Sequence, residues 1–308
     1  MPTYDDVLAA RERTRAHLHT TPVVTCGTLD ERAGVELFFK CENFQKTGSF
    51  KPRGALNAVL RLPEHTPGVV TDSSGNFGQA LAWSARTRGI PCTVVMPSDA
   101  PDVKQAAVRG YGGQIVLCPP TLAGRLEFRG RIAEDTGATY VPPFDHDDVI
   151  AGQGSCALEL LEQVPDLDAI VAPIGGGGLV GGIALVGQAR GVRVFAAEPR
   201  GADDAARSKA ASRRIVEPNP KTIAKGLLVS IGERNWPILR DHVEDVLLVD
   251  EDAIVCAMRL VWERMKLVIE PSAAVSLAAV LTHDLPGGIE RIGVVLSGGN
   301  VDLGELPF

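Results

Sequence analysis

Short apolar runs separated by helical stretches recur along most of this chain, and that alternation narrows its fold more than any other feature. Candidate strands at 68–72, 92–96, 114–118 and 139–141 are spaced by helical patterns near 76–88, 101–109 and 121–136. A second series runs helix 149–163, strand 169–173, helix 179–190 and strand 192–197. It closes with strand 246–249, helices 251–266 and 272–282, and strand 291–296. Strands joined through helices of about 10–15 residues predict parallel β-α-β units. An amphipathic helix over 3–18 precedes them, and Val35–Cys41 reads as a buried strand. The region 213–245, rich in Pro, Gly and Arg, yields no assignment, and there is neither a repeat nor a low-complexity segment. In such α/β chains a ligand is expected beyond the carboxyl ends of the strands.

Composition removes several function classes. With 308 residues, 45% apolar and 22% charged, the chain is long enough for two subdomains around a sizeable core. Its formal net charge of −7, with Lys and Arg scattered, gives no basic face for a nucleic-acid backbone. The six cysteines lie far apart without a C-x-x-C pair, so buried thiols in a reducing compartment are expected in place of disulfides or zinc. The N-terminus, Met-Pro-Thr-Tyr-Asp-Asp, lacks the apolar core of a signal peptide, and no apolar run approaches the roughly 20 residues of a membrane span. A cytoplasmic protein with no membrane partner is the expectation.

Four stretches carry chemistry. Asn43–Gly54 follows the Val35–Cys41 run and opens a helix, with Ser49 as the expected N-cap and Pro52 in the first turn. Lys51 then projects from a helix N-terminus beside Phe50, where the dipole and the apolar neighbour both disfavour its ammonium form. A lysine so depressed suits Schiff-base chemistry, although an ordinary solvated lysine is the plain alternative. Thr71–Gly78 lies between a strand and a helix, and its small polar residues expose N–H groups to an anion such as a carboxylate.

Gly175, Gly176, Gly177 and Gly178 follow the apolar run 169–174 and open the next helix, so the backbone can wrap a phosphate. A rival reading exists here. Gly176, Gly178 and Gly181 satisfy G-x-G-x-x-G, and Glu198 ends the following strand near the position of a ribose-binding acid. Alone, that pattern predicts an NAD-dependent dehydrogenase. It leaves Lys51 and the terminal Ser297-Gly298-Gly299-Asn300 unexplained. Glu198, Asp203 and Asp204 form a small acidic cluster that spacing alone reads as an exposed loop.

Together these stretches resemble, in order and spacing, the fold-type II pyridoxal-phosphate enzymes, in particular the serine/threonine dehydratase and serine racemase group. The resemblance implies an α/β fold, like that of the tryptophan synthase β chain, with parallel sheets flanked by helices. A small domain at 68–145 is then inserted into a large domain formed by 1–67 and 146–308. It implies that Lys51 holds pyridoxal 5'-phosphate, with Phe50 beside it. Asn76 would meet the cofactor's phenolic oxygen, Gly175–Gly178 its phosphate, and Ser297 its pyridine nitrogen. A hydroxyl there does not hold the ring nitrogen protonated, which suits β-elimination better than transamination. Ser73, Ser74 and Asn76 fall on the substrate loop, with Ser74 on the cofactor face opposite Lys51. The family commonly has histidine where this chain has Phe77.

Arg125 matches an arginine near the substrate carboxylate in racemases, with a surface helix arginine as the alternative. Glu198, Asp204 and the carbonyl of Ala202 match a divalent-cation site whose oxygen ligands suit Mg²⁺, Mn²⁺ or Ca²⁺. Glu270 lies near the pyridine side or is a helix-start acid. Lys46 and Thr47 match positions tied to nucleotide activation in eukaryotic racemases. The expected activity is an ammonia-lyase converting threonine to 2-oxobutanoate, or serine to pyruvate, by β-elimination. Lys51 takes the α-proton, and an enamine is released and hydrolysed. Racemisation of serine or a relative is the alternative. A homodimer is implied by the family, and the chain's end shortly after Asn300 implies no isoleucine feedback.

Overall fold

In the computed structural model, which describes residues 1–73 and 75–308, the apolar runs pair into two separate sheets. The first helix, α1 (Tyr4–Thr14), starts from a capping box in which Thr3 and Asp6 satisfy each other's backbone N–H groups. It stops at Thr14, short of the expected residue 18. Strand β1 (Val23–Val24) pairs antiparallel with β2 (Glu36–Cys41), and α2 (Gly27–Ala33) lies between them. A two-residue strand and a seven-residue helix are too short to impose a period on the sequence.

Helix α3 (Lys51–Arg61) begins where expected, but Ser49 is not its cap. Phe50 already has helical dihedrals and occupies the cap position, while Ser49 is extended and bridged to Gly298. The Ser49 hydroxyl makes no cap bond to the helix and is buried with no hydrogen-bond partner among the described residues.

The next seven elements are β3 (Val69–Thr71), α4 (Asn76–Arg88), β4 (Cys92–Pro97), α5 (Asp102–Gly110), β5 (Gln114–Cys118), α6 (Leu122–Thr136) and β6 (Thr139–Tyr140). They build a four-stranded, all-parallel sheet in the order β5-β4-β3-β6. After α7 (Asp147–Gln163) come β7 (Ala169–Pro173), α8 (Gly178–Arg190), β8 (Arg193–Pro199) and α9 (Asp204–Ala211). The unassigned region holds α10 (Asn235–His242), whose eight residues include Pro237 and carry no visible period. Then follow β9 (Asp245–Val249), α11 (Glu251–Leu260), α12 (Pro271–Thr282) and β10 (Arg291–Leu296). The expected single helix 251–266 divides: a π-helical turn at Val261–Met265 ends in Lys266 with φ 60°.

The larger sheet runs β1-β2-β10-β7-β8-β9, parallel except for β1. Its central strands are buried on both faces, which is why they read as unbroken apolar runs. In β7, Ile170 and Ala172 join one core, while Ala169 and Val171 join the other. A third core, around Leu81, Val94 and Met96, belongs to the smaller sheet. Among the described residues no helix is long and apolar enough to cross a membrane.

Candidate active site

A cleft of about 710 Å³ opens between the two sheets, at the carboxyl ends of β3, β7 and β10. Phe50, Lys51, Ser73, Asn76, Arg125, Gly175–Gly178, Glu270 and Ser297 all line it. These sequence-derived positions therefore meet across loops from both sheets. Ser74 lies outside the described residues.

Lys51 is the first residue of α3, and its Nζ donates to the Pro143 carbonyl at 3.1 Å. Its amine sits 4.9 Å from the Phe50 ring centroid and 5.8 Å from that of Phe77. Burial lowers its pKa from 10.5 to about 8, against a smaller opposing pull from Glu270. Phe77, at the position where the family commonly has histidine, is buried and lines the cleft.

What holds Lys51 in place lies two residues on. Arg53 is buried and donates from Nε and Nη2 to Glu42, at 2.7 and 2.8 Å, and from both Nη atoms to Glu159 at 2.8 Å. Lys40 joins them, donating 2.9 Å bonds to Glu159 and Gln163 and a 2.8 Å bond to the Thr21 carbonyl. Burial by itself would raise Glu159, but the bonds and charges of Arg53 and Lys40 together outweigh it and hold the carboxyl low. Close approach of α3 and α7 makes the network reachable: a Cβ on Gly152 would collide with the Arg53 carbonyl.

The glycine turn answers the test of whether a phosphate group fits. None of the N–H groups of Gly175, Gly176 or Gly177 donates to another group among the described residues. Gly177 has φ 92°, and a Cβ there would strike Ile231, while one on Gly176 would strike the Phe144 ring. Free amides at the start of α8, in a turn too tight for side chains, are what a phosphate requires. Ser297, at the end of β10, is buried at the cleft and its carbonyl accepts from Phe50 N at 3.0 Å. Asn76 Nδ2 donates to Glu270 at 2.8 Å, and Asn76 Oδ1 accepts from Asn300 at 2.9 Å. The residues present thus fit pyridoxal phosphate.

The expected cation ligands lie outside the cleft lining. Glu198 ends β8 buried and accepts from the N–H groups of Ala205 and Ala206 at 3.2 and 3.0 Å. It faces the start of α9, an engagement that takes it from the ribose role in the dinucleotide pattern. Burial chiefly, with Asp204 and Asp203 adding to it, raises its pKa well above the ordinary value. Asp204 accepts from Ile231 N at 2.8 Å, and burial raises it to about 6. Ala202 is buried in the intervening 3-10 turn. No cluster of three or more His, Cys, Asp or Glu side chains forms among the described residues. Glu198 and Asp204 are buried carboxylates with no ion pair among the described residues, and oxygen donors of this kind are the ligands a divalent cation takes.

Comparison with known proteins decides the family. A family model described as pyridoxal-phosphate dependent enzyme matches residues 14–298. The chain belongs to that family. β-Hydroxyaspartate dehydratase from Paracoccus denitrificans is 47% identical over 312 residues, covering 100% of this chain and 99% of that protein. The solved serine racemase of Dictyostelium discoideum superposes with a TM-score of 0.94 at 47% identity, over 98% of this chain and 99% of that one. A solved serine racemase from maize gives 0.96 at 44%, over 98% of this chain and 95% of that one. Threonine deaminase from T.th. gives 0.94 at 42%, over 99% of this chain and 100% of that one. This chain is a fold-type II pyridoxal-phosphate enzyme of the lyase and racemase group, so the nicotinamide alternative falls.

Two groups in this pyridoxal-phosphate cleft show which wall was legible and which was not. Lys104, from α5, escaped the sequence; it lines the wall with Arg125, and neither side chain has a hydrogen bond or ion pair among the described residues. Arg129, beside them, is occupied: it lies 3.6 Å from Asp72 and stacks on Tyr140.

Proposed function

We propose that this chain is an ammonia-lyase that dehydrates a small β-hydroxy amino acid to a 2-oxo acid and ammonia. The observation that carries the reading is the Lys51 amine, held in the cleft that the glycine turn also lines, with burial lowering its pKa to about 8. Lys51 would hold pyridoxal phosphate through its aldehyde, Gly175–Gly178 its phosphate, Asn76 its phenolic oxygen and Ser297 its ring nitrogen. When bound, the cofactor withdraws electrons from the substrate's α-carbon. The freed Lys51 amine takes the α-proton, a role suited to a base near neutral pH. Ser73 and the amides at the start of α4 receive the substrate carboxylate, and Phe77 keeps water from the amine.

Arg125 and Lys104 bear on the substrate's side chain. Two cationic side chains on one wall, neither engaged in a hydrogen bond or ion pair among the described residues, favour a substrate with a second carboxylate, such as a β-hydroxy amino diacid. The similarity to a β-hydroxyaspartate dehydratase supports the same direction. Racemisation is the second reading, supported by the similarity to serine racemase, with Ser74 giving a proton to the opposite face.

Residues 68–145 are the small domain, and 1–67 with 146–308 the large one. A divalent cation at Glu198, Asp204 and the Ala202 carbonyl steadies the start of α9. The six free thiols support a cytoplasmic setting. A homodimer is supported by Phe44 and Val268, apolar yet 47% and 48% exposed, whose neighbouring segments are joined by a 3.2 Å bond from Asn43 to the Val268 carbonyl.

Ammonia release from serine, threonine and 3-hydroxyaspartate, with chiral analysis of the remaining substrate, tests the reading. The diacid is expected to lead in kcat/KM by about tenfold or more, the value of one charge-assisted contact. Arg125→Met is expected to erase that lead with threonine turnover retained. Epimerised serine with no ammonia from any of the three would leave racemisation as the function.

A further inference from the structure

One carboxylate in the cleft has no task in the chemistry described so far. Glu270 precedes α12, the position of a helix cap, yet its side chain makes no cap hydrogen bond. It turns away from its own helix and into the cleft, where Oε1 accepts from Asn76 Nδ2 at 2.8 Å. Its backbone is held there by a 3.0 Å bond from Glu270 N to the Gly298 carbonyl. Packing against that glycine is close enough that a Cβ on Gly298 would lie 2.7 Å from Oε1.

The direction of each bond around Asn76 follows from one fixed end. The Thr47 carbonyl can only accept, so the Asn300 atom 2.8 Å away is its amide nitrogen. That same nitrogen lies 2.9 Å from Asn76, which must therefore present its oxygen to Asn300 and its NH₂ to Glu270. Glu270 takes one of the two N–H bonds. The other is left for the cleft that Asn76 lines.

We propose that Glu270 is a positioning residue: it fixes the Asn76 amide with one N–H free for a negatively charged oxygen of the cofactor ring, and its charge steadies a proton on the Lys51 nitrogen. The inference rests on the cofactor reading above and adds to it a group that acts through others. The titratable groups that face Glu270 are Lys104 from α5 and Lys51 from α3, both cationic partners for its ionised form. Burial works against that form and brings Glu270 to about 7, so its charge is lost and gained near neutrality.

Two variants separate the hydrogen bond from the charge. Glu270→Gln keeps an acceptor for Asn76 but no charge, whereas Glu270→Ala removes both. The readouts are the pH midpoint of the visible band of lysine-bound cofactor, without substrate, and the dissociation constant for added pyridoxal phosphate. In Glu270→Gln the midpoint is expected to fall by about one unit, as on losing a nearby opposite charge, with cofactor affinity retained. In Glu270→Ala affinity is expected to fall about tenfold, the loss of one hydrogen bond involving a charged group. A merely structural role would lower thermal stability and leave the midpoint where it was. An unchanged midpoint in Glu270→Gln, or a folded Glu270→Ala that binds cofactor as before, overturns the proposal; should Glu270→Ala fail to fold, the Gln midpoint decides. If the unaltered protein shows no visible band with added cofactor, the cofactor reading itself fails, and this inference with it.

Discussion

A lysine amine enclosed by two phenyl rings and a carbonyl is a poor ammonium ion, and Lys51 illustrates which effect wins. Ring faces 4.9 and 5.8 Å away favour the cation, as does Glu270, but loss of water outweighs them and the pKa falls from 10.5 to about 8. The sign of the consequence for stability follows. Between about pH 8 and 10.5 the unfolded chain holds a proton on this lysine that the folded chain does not, so folding is favoured as pH rises through that window. Cofactor-free Lys51→Met, which never carries the charge, is expected to melt above the unaltered protein at pH 8, and the gap should close towards pH 10.5. Melting curves across that range check it, and a gap constant with pH would contradict the assigned environment. Lys51 was legible in the sequence because its helix start, its apolar neighbour and Pro52 are contiguous. The bonds that Glu270 and Asn300 make were not, because their partner Asn76 lies 194 and 224 residues away.

At the scale of elements, α3 is aimed by its third residue. Arg53 spans from Glu42, just beyond β2, to Glu159 on α7, and every charge in that buried group has a partner. Arg53→Met leaves two buried carboxylates short of a cation, and a loss of about 3–5 kcal/mol in urea unfolding is expected, as for breaking a buried pair from one side. A loss under about 1 kcal/mol would mean the network is solvated and does not fix the helix. The same separation explains what the sequence hid: Arg53 and Glu159 are 106 residues apart, and no local pattern announces their pairing. Local punctuation read well elsewhere. The glycine run gave the start of α8 to within one residue, whereas Ser49 misled because a bridge to Gly298 overrides its capping preference.

For the whole molecule, two sheets of unequal size, parallel except for β1, place their strand ends around one cleft. The alternation of strands and helices made the parallel units readable, but not where one sheet gives way to the other, because no linker marks the change. The proposed cation site stands apart from the cleft lining, at the junction of β8 and α9, so loss of an ion there should act on stability before chemistry. Adding Mg²⁺ or Mn²⁺ to chelated protein is expected to raise the melting temperature, by an amount that grows with ion concentration as for any ligand of the folded state. Glu198→Gln should abolish the rise, and a rise that survives that substitution would move the site elsewhere. The central claim is that one amine near the start of the chain carries the cofactor. Loading the protein with pyridoxal phosphate, reducing it with borohydride and mapping the peptides by mass spectrometry tests this directly. The expected result is a single cofactor adduct on Lys51; an unmodified Lys51, or an adduct on another lysine, would contradict the account.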